Sequence, residues 1–375
     1  MRIGCIALVL GGCGRLGFEP FANVGSGADA GPGVDVFADA PALPSTVCRI
    51  DRIPLPGIPA NADLAIAPSG GGLVAMWANA STPGAVTGAV IDAQHRLVMT
   101  QVVPGITTAV VGGIADAGGS FVVSTSPASG TRAWTVPHDL SGSSMIFDNP
   151  NGVTGRDPFP SDNGSMRVYV ETNGASIEMY NMLSDGSITL GSSFGTTGPV
   201  TAVAGSDGPG HAHVVWTETI SPDQQCSAAD IRWQSPTMPA ITGSVVLSTD
   251  CHELRNDSGP LPPDGMMIVW TTTPHTVEGL YIVSSGNVPG QISTLGRAPR
   301  TRYDSTRQWV SWIDETSGDE LRFALFDLAT GALTTSRLPG WHPAGDEAYE
   351  LVLSGSETIL AVLSTDSLSL LTLCP

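Results

Sequence analysis

The sequence predicts an all-β chain built from repeated four-strand units, and three observations carry that prediction. From residue 48 onward, short aliphatic runs alternate with Gly, Pro, Asp and Ser clusters, and no stretch there shows the periodicity of an amphipathic helix. One signal recurs, an aliphatic run that follows a Gly- or Asp-containing turn and often ends in Trp. Its copies are Gly72–Trp77, Ser120–Ser124, Met166–Val170, His213–Trp216, Met267–Trp270, Gln308–Trp312 and Ile359–Leu363, and their last residues lie 47, 46, 46, 54, 42 and 51 positions apart. A period of about 40–50 residues in an all-β chain is that of propeller blades of four strands each, so seven copies predict a seven-bladed β-propeller over residues 48–375. The competing architecture, a pair of β-sandwiches, does not readily explain seven copies.

Within a unit, the strand before the recurring run lines the central channel. In copies one, two and four it is apolar or small: Leu64–Ala67, Ala109–Val111 and Val200–Val203. The hairpin between the third and fourth strands is visible as Ile91–Gln94, Leu183–Gly186 and Phe326–Gly331, where Asp-Gly and related pairs supply the positive φ of tight turns. These units resemble secreted bacterial propeller repeats, in which an apolar inner strand, an Asp/Gly turn, an aliphatic strand ending in Trp and a further hairpin follow one another. The resemblance covers residues 62–374 and is clearest around Trp77, Trp216, Trp270 and Trp312. It implies an architecture and no single activity, because such repeats carry many functions. The four tryptophans are expected to pack between neighbouring blades.

The seventh copy ends at Cys374, about one strand short of a blade, and Cys48–Leu55 can supply the missing strand. That closes the ring by mixing the chain ends. Cys48 and Cys374 are then placed to form a disulfide, leaving Cys226 and Cys251 to pair locally; four cysteines allow three pairings, and these spacings match no zinc site. In the loop-entropy description the local bridge contributes roughly 3.5 kcal/mol and the long one nearly 6, as upper bounds.

The N-terminus is organised differently. Behind Met1-Arg2, an apolar run from Ile3 to Leu10 leads into Leu10-Gly11-Gly12-Cys13. Such a run is too short to span a bilayer and has the form of a signal peptide over residues 1–12. The stretch resembles the lipobox of bacterial lipoproteins, which implies acylation of Cys13 and export. Residues 13–47, rich in Ala, Gly, Asp and Pro, read as a disordered tether; its 34 residues after Cys13 would separate its ends by roughly 30–35 Å. A short lipobox followed by such a tether is similar to many predicted lipoproteins of myxobacteria and related high-GC bacteria, and all 16 basic residues being Arg suits such a genome. The expected location is the cell envelope, lipid-anchored, at the outer membrane or cell surface. The expected partners are that membrane and a protein or glycan.

Charge excludes one class. The chain carries 35 acids against 16 Arg, a net charge of −19. Such a surface repels phosphate backbones, so nucleic acid is not an expected partner.

Chemistry is sparse. No G-x-S-x-G, H-E-x-x-H, P-loop or EF-hand motif is present, the absence of lysine excludes Schiff-base catalysis, and no cofactor is expected. His211 and His213, two apart on one strand, could gather with Asp250 and His252 around a metal, although strand-edge histidines are the simpler account. Asp314, Glu315, Asp319 and Glu320 around Gly318 read as an acidic hairpin tip rather than a calcium loop. Charged residues concentrate instead on the inner strands of copies three, five and six: Arg156 and Asp157; Glu253, Arg255 and Asp257; Arg300 and Arg302. These either pair as ions across a narrow channel or form a binding mouth that presents arginines to a carboxylate, sulfate or sugar acid. Asp157, Glu253 and Asp257 are the candidate acid and base were the protein a polysaccharide hydrolase or lyase. The main expectation is a surface-anchored, non-enzymatic binding or scaffold module, with a structural envelope spacer as a third reading.

Overall fold

The computed structural model describes residues 46–149 apart from 80, 82 and 127–129, the strands between 152 and 293 together with Ser187, and residues 294–374 apart from 305, 306 and 327–332. The described chain is all-β apart from one 3-10 turn, Glu315–Ser317.

Strand β1 (Val47–Pro54) opens the fold, one residue earlier than Cys48. Strands β2 (Ala62–Ser69), β3 (Gly72–Asn79), β4 (Gly84–Ile91) and β5 (Leu97–Thr108) form one antiparallel sheet in chain order. The next is β6 (Val110–Asp116), β7 (Phe121–Ser126), β8 (Thr131–Val136) and β9 (Ser144–Asn149). In the third, the first strand is split into β10 (Gly152–Thr154) and β11 (Phe159–Pro160), both pairing with β12 (Met166–Thr172), followed by β13 (Ser176–Met182) and β14 (Ile188–Gly195). Strands β15 (Val200–Gly208), β16 (His211–Thr219), β17 (Ala229–Gln234) and β18 (Thr242–Val246) form the fourth. The fifth is β19 (Asp257–Leu261), β20 (Gly265–Thr272), β21 (Thr276–Val283) and β22 (Gly286–Ser293). The sixth is β23 (Gly296–Tyr303), β24 (Gln308–Asp314), β25 (Glu320–Phe326) and β26 (Leu333–Arg337).

The last sheet joins the two ends of the chain. Its strands β27 (Tyr349–Ser354), β28 (Glu357–Leu363) and β29 (Ser367–Leu373) are completed by β1, which pairs antiparallel with β29 from Val47↔Leu373 to Pro54↔Ser367. The Cys48–Cys374 disulfide spans this pairing with Cα atoms 5.7 Å apart. The first strands of successive sheets lie against one another: β2 on β6, β6 on β11, β10 and β11 on β15, β15 on β19, β19 on β23, β23 on β27, and β27 back on β2.

The core sits in the seams between sheets, and side-chain alternation explains it. On β3, Leu73, Ala75 and Trp77 pack with Val352, Ile359 and Leu370 of the last sheet, while Val74, Met76 and Ala78 pack with Ile114, Phe121 and Val123 of the second. A strand flanked by sheets on both faces needs apolar residues at both parities, so the second strand of a sheet reads as a continuous aliphatic run. β28 behaves alike, with Ile359 and Ala361 facing one seam and Leu360 and Val362 the other. Trp77 and Trp312 lie in such seams, Trp312 against Met267 and Val269 of the preceding sheet. Trp270 is buried as well. Gly72, where β2 turns into β3, is fixed by space: a Cβ there would lie 2.0 Å from the Ile91 carbonyl oxygen.

Candidate functional site

The connections between sheets and the loops between second and third strands meet at one end of the fold, around a cleft of about 440 Å³. Its walls are Asn61, Ala62 and Ser81 on one side, Arg297, Ile313 and Asp319 on the other, with Pro343–Glu347, the approach to β27, between them. The local backbone aims Arg297 into this cleft. The register of β23 on β24 shifts between Arg297 and Arg300, and Ala298 within the bulge takes φ +51°. A β-bulge re-aims the side chains beside it. Asp319, closing the hairpin tip after Gly318, also has positive φ, +68°. Left-handed non-glycine residues are uncommon, and two of the four among the described residues flank Arg297.

Arg297 organises the acids around it. Its Nε donates to Asp346 Oδ1 at 2.9 Å, and its Nη1 donates to Glu315 Oε1 at 3.1 Å and Asp319 Oδ1 at 2.7 Å. The hydrogen bond from Arg297 holds the Asp319 carboxyl below the usual carboxylate range. Reciprocally, Asp319 first and Asp346 second strengthen the guanidinium's hold on its proton, against partial burial. The acidic tip is thus built by ion pairing: Asp314 caps the 3-10 turn through the Thr316 N–H and contacts Arg322, and Glu320 binds Arg337 and the Gly340 N–H.

Arg300 lies one turn of the bulge deeper. Its side chain is 7% exposed, with Nη2 2.5 Å from Glu347 Oε2, Nε 3.2 Å from Glu350 Oε2, and Nη1 donating to the Pro299 carbonyl at 3.0 Å. Its guanidinium also stacks over Tyr349, whose hydroxyl donates to the Ala298 carbonyl and is held protonated by burial. Arg302 donates to the Leu351 carbonyl at 2.9 Å and lies 3.8 Å from Glu350. Among the described residues, the acids that meet these two arginines, Glu347 and Glu350, come from the neighbouring strand β27 and its approach, and Arg300 is buried in the wall.

Arg156, Asp157, Glu253, Arg255, His252, Asp250, Cys226, Cys251 and Cys13 lie outside the described residues. Asp257 begins β19, and His211 and His213 share β16, where the backbone alone is described. From the sequence expectation the structure brings Arg300 and Arg302 together beside Glu350 and places Asp319 of the acidic hairpin tip in the cleft, to which it adds Arg297, Asp346 and Asn61. Arg297 was legible as the first of three arginines on one strand. Asn61 and Asp346, in inter-sheet connections without a motif, carried no signal. Among the described residues, no three His, Cys, Asp or Glu are arranged to hold a metal ion, and no helix is long and apolar enough to cross a membrane.

A second cleft, of about 380 Å³, lies at the opposite, hairpin end. Its wall includes His95, whose Nδ1 is 2.7 Å from Asp51 of β1 and whose Nε2 is 3.9 Å from Glu357, so this residue ties a hairpin of the first complete sheet to the last sheet. Asp116 there accepts from Ser69 Oγ at 2.6 Å and from His138 Nε2 at 3.1 Å; burial opposes ionisation, but these bonds and the Gly118 N–H keep its carboxyl below the usual range.

No protein-family model and no curated protein matches the chain. Solved structures do. The WD40 domain of coronin from Toxoplasma gondii matches at 9% identity over 89% of this chain and 88% of that one, with a TM-score of 0.54. The SapL1 lectin in complex with alpha methyl fucoside matches at 16% identity over 76% and 98%, with a TM-score of 0.50, and a protein of unknown function from Dyadobacter fermentans at 10% over 87% and 99%, also 0.50. At such identities the likeness shows the fold alone, and WD40 domains are propellers. The chain has a β-propeller fold.

Proposed function

We propose that the protein is a lipid-anchored envelope protein, held through Cys13, whose seven-bladed propeller is closed by β1 and the Cys48–Cys374 bridge and acts as a non-enzymatic binding or scaffold module for a protein or glycan. One observation carries the binding reading: a cleft of about 440 Å³ whose carboxylates Asp319 and Asp346 each accept a hydrogen bond from Arg297. A carboxylate held below the usual range, as Asp319 is, makes a poor general acid, because proton transfer needs a group poised near the working pH, whereas fixed donors and acceptors at the rim of a cleft suit recognition. That a similar fold serves as a lectin in SapL1 is consistent with this reading. The tether and lipid supply location: acyl chains contribute about 0.8 kcal/mol per buried methylene, enough for two or three to hold a protein on a bilayer.

The test is expression of the full chain in a bacterium with lipoprotein processing, fed an alkyne fatty acid. Label and membrane association should be present in the wild type and absent in Cys13→Ser, and the purified protein should release no reducing ends from polysaccharides. A soluble, unlabelled wild type would overturn the anchor, and polysaccharide turnover would overturn the non-enzymatic reading.

A further inference from the structure

The polar atoms left over in the cleft at the sheet-connection end specify the charge of what can bind there. Arg297 uses Nε and Nη1 on acids, and Nη2 has no partner among the described residues. Asp319 and Asp346 each give one oxygen to Arg297, leaving the second oxygen of each available on side chains 57% and 33% exposed. Asn61 donates through Nδ2 to Ser81 Oγ at 2.7 Å, which leaves the Asn61 carbonyl oxygen as an acceptor and the Ser81 proton as a donor. Three acceptors and two donors thus face a cleft bounded along one side by Pro343, Ala344 and Gly345.

From this arrangement we infer that the cleft is a subsite for an uncharged, hydroxyl-rich ligand, a neutral sugar residue of a glycan; the inference rests on the binding-module reading and names its ligand class. Each sugar hydroxyl both donates and accepts, so a pair of adjacent hydroxyls satisfies a carboxylate oxygen and an arginine N–H together. An anionic ligand would meet Asp319 and Asp346, with Glu347 behind them. A cationic ligand would compete with Arg297, which already holds those carboxylates. A polyol meets neither conflict, and its C–H face can lie on the alanine and proline.

The experiment is saturation-transfer difference NMR on the full chain with methyl galactoside, methyl mannoside and methyl fucoside as neutral probes, and glucuronate and Nα-acetyl-lysine methylamide as charged ones. At least one neutral glycoside should receive saturation, and Asp319→Asn and Asn61→Ala should each weaken it tenfold or more. Asn tolerates the left-handed φ at 319, and position 61 is exposed, so Asn61→Ala should keep the wild-type melting temperature and Asp319→Asn, which loses one largely exposed ion pair, should still fold cooperatively with a melting temperature a little lower. No transfer to any neutral glycoside, or transfer that survives both substitutions, overturns the inference. Binding of the lysine probe alone, abolished by Asp319→Asn, would make the cleft a cation site: the sugar assignment would then fall while the binding-module reading stood.

Discussion

At the residue scale, the contrast between Arg297 and Arg300 separates recognition from architecture. Three residues apart on β23, one is partly exposed in a cleft and the other is sealed between Glu347, Glu350 and Tyr349. Removing one member of a buried ion network strands the others, so Arg300→Ala should destabilise the protein by about 3–5 kcal/mol in urea titration. Replacing all three charges, Arg300→Leu with Glu347→Gln and Glu350→Gln, should recover most of that loss. The depressed carboxyls set the acid limit. Asp116, Asp319 and Glu320 are each harder to protonate folded than unfolded, so on acidification the unfolded chain takes up protons first. Their contribution is complete above the unfolded values, about 4, and is lost as pH falls through the lower folded ones. Thermal melts should therefore be level from pH 7 to 5 and drop steeply below about pH 4.

At the element scale, the strands legible in the sequence are those with sheets on both faces. Gly72–Trp77 and Ile359–Leu363 stand out because burial on two sides demands unbroken aliphatic runs, and both are central strands here. Outer strands such as β5, with Val98 and Val102 exposed, carry no such demand and were found only through the hairpins before them. The same logic explains the partial view of the site. Charges on inner strands were visible as breaks in an apolar pattern, which singled out Arg300 and Arg302, whereas Asn61 and Asp346 lie in connections with no pattern to break. Trp77→Ala empties a seam between two sheets and should cost about 3–5 kcal/mol, with Trp77→Phe losing far less, both read from denaturant midpoints.

At the scale of the whole molecule, one strand decides whether the chain is a ring. β1 is separated from β29 by the entire fold, and the pairing of these two strands is what completes the last sheet. Cys48→Ser with Cys374→Ser should cost up to about 5 kcal/mol and make β1 the first strand to exchange its amide hydrogens. His95, bridging a hairpin of the first complete sheet to Asp51 on β1 and to Glu357, ties the last sheet to the first complete one near the same chain ends. The acidity of the chain, −19 overall, suits the proposed tethered surface protein and opposes phosphate backbones without prescribing a ligand.

Closure by the chain ends is the claim on which the architecture rests, and peptide mapping of the unreduced protein tests it most directly. The expected result is a peptide containing Cys48 joined to one containing Cys374, a second link between Cys226 and Cys251, and no thiol among these four open to alkylation. Cys48 joined to Cys226 or Cys251, or recovered as a free thiol, would contradict it.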